Sequence, residues 1–386
     1  MRQHSQPKHE VADIIDACKS DFLKQYAPNT YVIRTLNALQ KCRSAALGGH
    51  KDKCDSCGHI RISYNSCRNR HCPKCQNTNR ENWIENQKQN LLPVVYFHVV
   101  FTVPDVLNTL FLNKPEKMYN LLFKAVWNTV EQFSLFNRQS ETGMIGVLHS
   151  WGQSMSLHPH LHCIIPGGGI HFNGKWNPVK KSNNGKSFLF DVKQLSAVFR
   201  GKFIDVLKKE YNPDEKLIDE LYKHKWVVYS KDSFAGPEQI IEYLARYSHK
   251  IAISNHRIVS VENDTVNFKY KDYRDNKQKT MYLSGVEFLR RFCMHILPRR
   301  FVRIRHFGIL SSAKRQILKE ILLSLNVDFV PAAEKKNWKE ICREKLNFDP
   351  DICPHCKKGH MVMIQEILPI RAPPDFSDFL QAASSK

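Results

Sequence analysis

The stretch SMSLHPHLHCIIPGGG, Ser154–Gly169, carries three histidines at alternate positions. In a β-strand, residues two apart share a face and lie roughly 6.6 Å apart, so the imidazoles of His160 and His162 can reach one ion. The residues between and after them are apolar, which predicts a half-buried strand with a histidine pair on its polar face. Taken alone, the pair could be solvated strand histidines as well as metal ligands. His158 lies on the same face but roughly 13 Å from His162, and Pro159 disturbs the strand beside it. We therefore expect His158 to stay outside the site.

The segments around this stretch show strand-like and helix-like patterns in turn. Residues 94–104 (VVYFHVVFTVP) and 144–151 (MIGVLHSW) are rich in β-branched and aromatic residues, which favours strands. Residues 115–136 and 192–209 have apolar side chains at helical spacing, which predicts two helices. Shorter strands are predicted at 225–230, 251–254, 258–261 and 265–270. The chain therefore mixes helices and strands.

The composition favours a polyanionic partner. The 386 residues include 58 Lys and Arg against 37 Asp and Glu, a formal net charge of +21, which most simply indicates nucleic acid binding. A hydrophobic content of 42% is enough for a folded core. The polar start lacks the apolar region of a secretory signal, and the most apolar stretch, 91–107, is too short and too interrupted to span a membrane. We expect a cytoplasmic protein with no membrane partner.

The cysteines indicate metal sites. Without a secretory signal, twelve cysteines argue against a disulfide framework. Cys54-x2-Cys57 and Cys72-x2-Cys75 are separated by fourteen residues, the spacing of a four-cysteine zinc ribbon. The sequence therefore predicts one structural zinc ion held by these four thiolates, which would stabilise the fold of the segment rather than carry out chemistry.

Further ligand candidates lie close to this ribbon. A second zinc site is a hypothesis for the residues Cys42, His50, Cys67 and His71. The alternative is that these are buried thiols and surface histidines. Basic residues interleaved with the ligands, which a rigid ribbon would present to phosphates, are Arg68, Arg70 and Lys74.

A late cysteine pair, Cys353 and Cys356, has the same spacing. It could be a metal half-site completed by Cys342 or His360, or a turn that caps the fold. The sequence leaves these alternatives open.

Tyr243 and Tyr247 lie four residues apart within AGPEQIIEYLARYSHK, residues 235–250. The segment has a proline near its first turn and basic residues at its end, which predicts a helix. Residues four apart share one helix face. A core-packing pair of aromatics would show the same spacing, but the neighbouring Arg246 and Lys250 favour contact with a phosphate backbone.

A tyrosine hydroxyl can attack a phosphodiester and form a phosphotyrosine ester, which splits cutting and joining into two transesterifications. Because the unperturbed pKa of tyrosine is about 10, a divalent ion is needed to polarise the phosphate and orient the leaving oxygen. His160 and His162 would hold that ion. A third ligand is required, and the candidates left open are Gln153, His98, His249 and His256. Phosphate chemistry favours Mg²⁺ or Mn²⁺, and imidazole ligands favour Mn²⁺ of the two.

The His160-Leu161-His162 triplet, followed by a Tyr-x3-Tyr helix, resembles the HUH endonucleases with two tyrosines. Four longer stretches occur in a matching order: LGGHKDKCDSCGHIRISYNSCRNRHCPKCQ, WGQSMSLHPHLHCIIPGGG, YLARYSHKIAISNHRI and FVRIRHFGILSS. Together they are similar to the rolling-circle transposases of bacterial insertion sequences, the IS91 group, relatives of eukaryotic Helitrons. The resemblance covers residues 35–315.

This resemblance implies an α+β fold, in which an HUH endonuclease domain with a central antiparallel sheet flanked by helices follows a small zinc-ribbon-like domain. It implies a zinc-binding DNA-recognition domain at 41–92 and a catalytic domain at 93–310 with an insertion around 171–235. Residue patterns outside the resemblance add a helical lead-in at 1–40, with apolar residues at helical spacing, and a carboxy-terminal tail at 311–386 with a possible second metal half-site.

The resemblance also implies the activity. Tyr243 and Tyr247 would be the nucleophiles of a metal-dependent single-strand endonuclease and strand transferase that leaves a 5′-phosphotyrosine link, with His160 and His162 as metal ligands. The implied partners are the single-stranded DNA ends of a mobile element and target DNA, in the nucleoid of a bacterial cell. The sequence has no G-x4-G-K-[ST] motif, so unwinding would come from host proteins. Two alternatives are an HUH replication initiator or relaxase, and a non-catalytic zinc-ribbon DNA-binding protein.

Overall fold

The computed structural model describes residues 7–88, 91–179, 189–234, 239–240, 243, 251–325, 336–346 and 348–370. Its strands, in chain order, are β1 Gly49–Cys54, β2 Ile60–Tyr64, β3 Tyr96–Thr102, β4 Ser140–Glu141, β5 Gly143–Trp151, β6 Leu157–Pro166, β7 Gly168–His171, β8 Trp176–Pro178, β9 Val227–Phe234, β10 Ile258–Glu262, β11 Thr265–Asp272, β12 Lys277–Ser284, β13 Ile304–Gly308 and β14 Met361–Ile367.

Its helices are α1 Val11–Gln25, α2 Thr30–Gln40, α3 Gln76–Lys88, α4 Asn108–Asn113, α5 Pro115–Arg138, α6 Val192–Tyr211, α7 Glu215–Lys223, α8 Gly285–Cys293, α9 Arg315–Ser324 and α10 Trp338–Leu346. None of the described helices is long and apolar enough to cross a membrane.

A five-stranded antiparallel sheet, in the order β13-β5-β6-β3-β9, lies at the centre of the fold. Strand β6 contains the alternating histidines and is paired on both sides. The apolar residues of β6 on one face, Leu161 and Cys163, pack into the largest core with side chains from α5 and α6. The predicted α+β fold with a central antiparallel sheet flanked by helices is confirmed.

The opposite face of this sheet has its own apolar layer. Val147 and Ile164 pack there with Ile240 and Leu318, and Tyr243 lies partly buried against the same cluster. Because alternate residues of a strand share a face, the histidines of β6 lie on this side with Ile164. The sheet therefore brings them to the side where Tyr243 packs.

The amino-terminal helices belong to a separate core. Side chains of α1 and α2 pack with α8 and with the three-stranded sheet β10-β11-β12. Gly285, the first residue of α8, approaches closely here, since a Cβ at this position would lie 2.0 Å from Cys18 Sγ. The segment predicted as a helical lead-in is thus fastened to residues late in the chain.

One predicted strand needs correction. The strand predicted at 251–254 is not formed, and these residues lead into a short 3-10 turn at Asn255–Arg257. Residues 189–234, within the predicted insertion, supply the edge strand β9 and the core helix α6. Within the predicted carboxy-terminal tail, α9 packs on the central sheet and β14 pairs with β1.

Candidate metal centre and cysteine clusters

Three histidines converge on one face of the central sheet. His149 on β5 is paired directly opposite His160 on β6, and His162 follows two residues later on the same face. The potential ligand nitrogens of all three lie within 4.8 Å of one another, and His149 and His162 are buried. Three nearby imidazoles match the ligand number of a catalytic ion with open positions. We call this group the histidine triad.

Hydrogen bonds fix which nitrogen each β6 imidazole offers to an ion. His160 Nδ1 lies 2.6 Å from the His158 carbonyl oxygen, so Nδ1 carries the proton and Nε2 is free to bind metal. Burial lowers the pKa of His160 to about 4, which keeps the ring neutral, as a ligand must be. His162 Nδ1 lies 2.8 Å from His98 Nε2, which makes Nε2 the candidate metal-binding nitrogen of His162.

A second layer of aromatic residues supports His149. Trp151 stacks on the His149 ring with a centroid distance of 4.6 Å. His295 lies 6.0 Å from Trp151 and is held between Ser150 Oγ at 3.1 Å and the Met155 carbonyl at 3.0 Å. Burial lowers the pKa of His295 to about 4, so the neutral ring donates to the Met155 carbonyl and accepts from the Ser150 hydroxyl. Such outer contacts orient metal ligands.

The sequence left the third ligand open, and the structure places a different histidine beside His160 and His162. The triad is completed by His149, which was not among the candidates. Of those candidates, Gln153 hydrogen-bonds the Tyr273 hydroxyl at 3.1 Å, His256 is exposed on the 3-10 turn, and His249 lies outside the described residues. His98 contacts His162 but is not one of the three. His158 lies outside the triad, as expected.

Tyr243 reaches the triad through His98. Its hydroxyl lies 3.2 Å from His98 Nδ1, and the two rings meet edge to face at 4.9 Å. If His162 binds metal through Nε2, its Nδ1–H donates to His98 Nε2, and the proton of neutral His98 is then on Nδ1, directed at the Tyr243 oxygen. A continuous hydrogen-bonded chain thus connects the phenol to an imidazole of the histidine triad. Tyr247, Arg246 and Lys250 lie outside the described residues.

Eight of the twelve cysteines form two clusters, and neither cluster is the predicted ribbon. The first, which we call the inner cluster, contains Cys42, Cys67, Cys72 and Cys75, and the second, the outer cluster, contains Cys54, Cys57, Cys353 and Cys356. The prediction that Cys54-x2-Cys57 and Cys72-x2-Cys75 share one ion is wrong, because the two units belong to different clusters. Spacing defines a half-site but not its partner, since the partner is set by the tertiary fold.

The inner cluster fits a tetrahedral zinc ion. Its Sγ atoms lie 3.5 Å apart for Cys42 and Cys72, 3.5 Å for Cys42 and Cys75, and 3.7 Å for Cys67 and Cys75. Four thiolates bound at the usual Zn–S distance lie roughly 3.8 Å from one another. All four cysteines are free rather than disulfide-bonded.

The two histidines of the predicted second site are placed elsewhere. His50 Nε2 lies 3.5 Å from Asp52, and His71 is buried, where its Nε2 accepts a hydrogen bond from Arg70 Nε at 3.3 Å. Burial, with the nearby arginines, lowers the pKa of His71 to about 3. The other two members of the cluster that contains Cys42 and Cys67 are thus thiols rather than imidazoles.

Two of the predicted phosphate-binding residues are used within the protein. Arg70 donates to the carbonyls of Phe301 at 2.6 Å and Pro298 at 2.9 Å. Lys74 pairs with Glu10 at 2.5 Å. The Arg70 guanidinium therefore has few donors left for DNA, whereas the Lys74 ammonium, with one acidic partner, keeps further N–H donors. Arg68 is exposed, with a left-handed backbone (φ 52°), and stays a candidate.

Two parts of the chain match known protein families. Residues 14–103 match the family described as "Transposase zinc-binding domain", and residues 143–317 match the family described as "Putative transposase". The chain is 38% identical over 391 residues to "Putative transposase y4qJ" of Sinorhizobium fredii, covering 95% of this chain and 97% of the relative. The chain belongs to the IS91-type transposase family.

Other similarities are more distant. The "Transposase for insertion sequence element IS801" of Pseudomonas savastanoi pv. phaseolicola is 25% identical over 88% of this chain and 85% of its own length. Among solved structures, the conjugative relaxase TrwC in complex with OriT DNA, in its metal-bound form, covers 61% of this transposase and 74% of its own chain at 15% identity, with a TM-score of 0.24.

The match to the zinc-binding family supports structural zinc in this transposase. All four residues of the inner cluster fall within 14–103, whereas the outer cluster takes two of its four from far beyond that range. The triad lies within the second matched region, 143–317, and His98 lies within the first.

Proposed function

We propose that this transposase nicks and rejoins single-stranded DNA at the ends of its mobile element by tyrosine transesterification, with Tyr243 and Tyr247 as nucleophiles. The observation that supports this most directly is the contact of the Tyr243 hydroxyl with His98, which in turn contacts His162 of the triad. A phenol that served only to pack the core would not need to be placed beside a cluster of four histidines.

Each protein group has a defined task in the proposed step. The Tyr243 oxygen attacks the phosphorus, loses its proton to solvent, and forms a 5′-phosphotyrosine ester, while the 3′ oxygen of the cut strand leaves and takes up a proton. His98 Nδ1–H donates to the Tyr243 oxygen, which stabilises negative charge on it and orients its lone pairs. The reverse attack by a 3′ hydroxyl restores the phosphodiester, so cutting and joining conserve the bond.

The three imidazoles would hold a divalent ion, Mn²⁺ or Mg²⁺, that polarises the phosphate. The fit rests on three convergent ring nitrogens, two of them with the opposite nitrogen already hydrogen-bonded. An all-nitrogen set favours Mn²⁺ over Mg²⁺. The ion's remaining positions would be open to phosphate oxygens and water.

The proposed partners follow from the family and the charge. The net charge of +21 suits a polyphosphate ligand, and Arg68 is an exposed cation on the zinc-binding module. We place the reaction on element ends and target DNA in the bacterial nucleoid, with strand separation left to host proteins.

The test is a covalent-adduct assay with the full-length protein. A labelled single-stranded oligonucleotide carrying the element end is incubated with Mn²⁺, and denaturing gels detect a protein–DNA adduct. Peptide mass mapping should place the adduct on Tyr243 or Tyr247. A duplex of the same sequence and a scrambled single strand are the controls. Cleavage with no covalent adduct, or an adduct on another residue, would refute the tyrosine mechanism.

The His98 contact gives a separate prediction. His98→Ala should weaken Mn²⁺ binding and slow adduct formation by about 10- to 100-fold, since residues that orient metal ligands typically contribute this much. Calorimetric Mn²⁺ titration and single-turnover cleavage would measure the two effects. His256→Ala, which changes an exposed histidine outside the triad, is the control. Unchanged metal affinity and rate in His98→Ala would remove His98 from the site.

A further inference from the structure

We infer that the outer cluster is a second four-thiolate zinc site. It holds the carboxy-terminal segment around Cys353 and Cys356 against the amino-terminal segment around Cys54 and Cys57. Cys54 Sγ lies 3.7 Å from Cys356 Sγ, and Cys57 Sγ lies 3.7 Å from Cys353 Sγ. Four thiolates around zinc are roughly 3.8 Å apart, whereas a disulfide would need a sulfur–sulfur distance of about 2.05 Å. The spacing is that of ligands around one ion.

The two halves of the site have the same local structure. Each Cys-x2-Cys turn closes with a backbone hydrogen bond, from Gly58 to the Cys54 carbonyl at 3.1 Å and from Lys357 to the Cys353 carbonyl at 2.9 Å. Backbone N–H groups also point at sulfur, from Cys57 to Cys54 Sγ and from Gly359 to Cys356 Sγ, both at 3.4 Å. Donors directed at sulfur favour the thiolate form, which is the zinc ligand.

The backbone allows the two halves to approach only because residue 359 is glycine. A Cβ there would lie 2.6 Å from Cys54 Sγ and 2.6 Å from Asp55 Oδ1. The Asp55 carboxylate also accepts a hydrogen bond from the His360 backbone at 2.8 Å. The two segments are thus complementary in shape, so the proximity of the four thiols is not accidental.

Apolar packing is too small to hold this interface alone. The local cluster comprises Cys54, Cys353 and Met361, with Cys356 partly buried beside them. A segment with so few buried side chains typically depends on a metal or disulfide for its fold. The ligands are 296 residues apart for Cys57 and Cys353, so a single ion would close a very long loop.

The site also explains why β14 completes the amino-terminal sheet. Met361 pairs with Cys54 and Ile367 with Gly49, so β14 runs along the whole of β1 in the order β14-β1-β2. Arg61 of β2 adds a bond to the Pro350 carbonyl at 3.2 Å. The alternatives considered for the late cysteine pair are corrected: its partners are Cys54 and Cys57, while Cys342 and His360 are outside the cluster.

Zinc content of the full-length protein tests this inference. Native mass spectrometry of Cys353→Ser/Cys356→Ser should show one zinc ion fewer per chain than the wild type. Cys342→Ser removes a nearby thiol outside both clusters and should leave the zinc content unchanged. Equal zinc content in the double variant and the wild type would overturn the second site.

A measurement on the unmodified protein covers the case in which the double variant does not fold. Cys57 is exposed, so burial cannot protect it from iodoacetamide. With zinc bound, Cys57 and Cys356 should resist alkylation, and chelation should expose both together. Alkylation of Cys57 at the same rate before and after chelation would overturn the inference. Neither test depends on DNA cleavage, so the proposed function can fail separately.

Discussion

Replacing Tyr243 and Tyr247 together with phenylalanine is expected to abolish the covalent DNA adduct. The change removes the only atoms proposed to attack phosphorus and leaves the ring volumes intact. Removing a nucleophile commonly costs a thousandfold or more in rate, on the order of 10³ to 10⁶. Single-turnover cleavage of an end oligonucleotide with Mn²⁺ measures the loss directly.

The single variant Tyr243→Phe separates the roles of the two phenols. Tyr243 contacts His98 at 3.2 Å, so Tyr243→Phe alone should lower adduct formation and move any remaining adduct to Tyr247. Tyr282→Phe, an exposed tyrosine on β12 of a different sheet, is the matched control. DNA binding should be retained in the double variant, in Tyr243→Phe and in Tyr282→Phe. If the double variant still cuts at the wild-type rate, the nucleophile is another group.

Local periodicity predicted the part of the site that lies on a single strand. Alternation of apolar residues and histidines in β6 set which side chains share a face, and the structure places His160 and His162 together. The strands predicted at 94–104 and 144–151 and the helix predicted at 115–136 are also present, because their patterns are local as well. These patterns depend on residues close in sequence, so no tertiary knowledge is needed.

The third ligand required the register between two strands. His149 lies within the strand predicted at 144–151, yet which residue of that strand faces His160 is fixed by the turn and the strand pairing. Testing each register of the two strands could have found it, because His149 is the only histidine in MIGVLHSW.

The cysteine pairing could not be predicted for a different reason. Each Cys-x2-Cys unit forms the same local turn, so any two such units can share an ion equally well by spacing alone. The true partner of Cys54 and Cys57 lies 296 residues from Cys57, and the chain brings it back by pairing β14 with β1. Only the folded chain contains that information.

Replacing His149 with alanine is expected to weaken Mn²⁺ binding by on the order of a hundredfold or more, since even residues that only support a ligand contribute 10- to 100-fold. Cleavage should fall in parallel at limiting Mn²⁺, because two imidazoles hold the ion less tightly than three. Excess Mn²⁺ should restore part of the rate if the remaining ligands still position it. His158→Ala is the matched control, because His158 lies beside His160 but outside the triad. Calorimetric titration of Mn²⁺ into both variants gives the comparison, and equal affinity in His149→Ala and His158→Ala would mean that His149 is not a ligand.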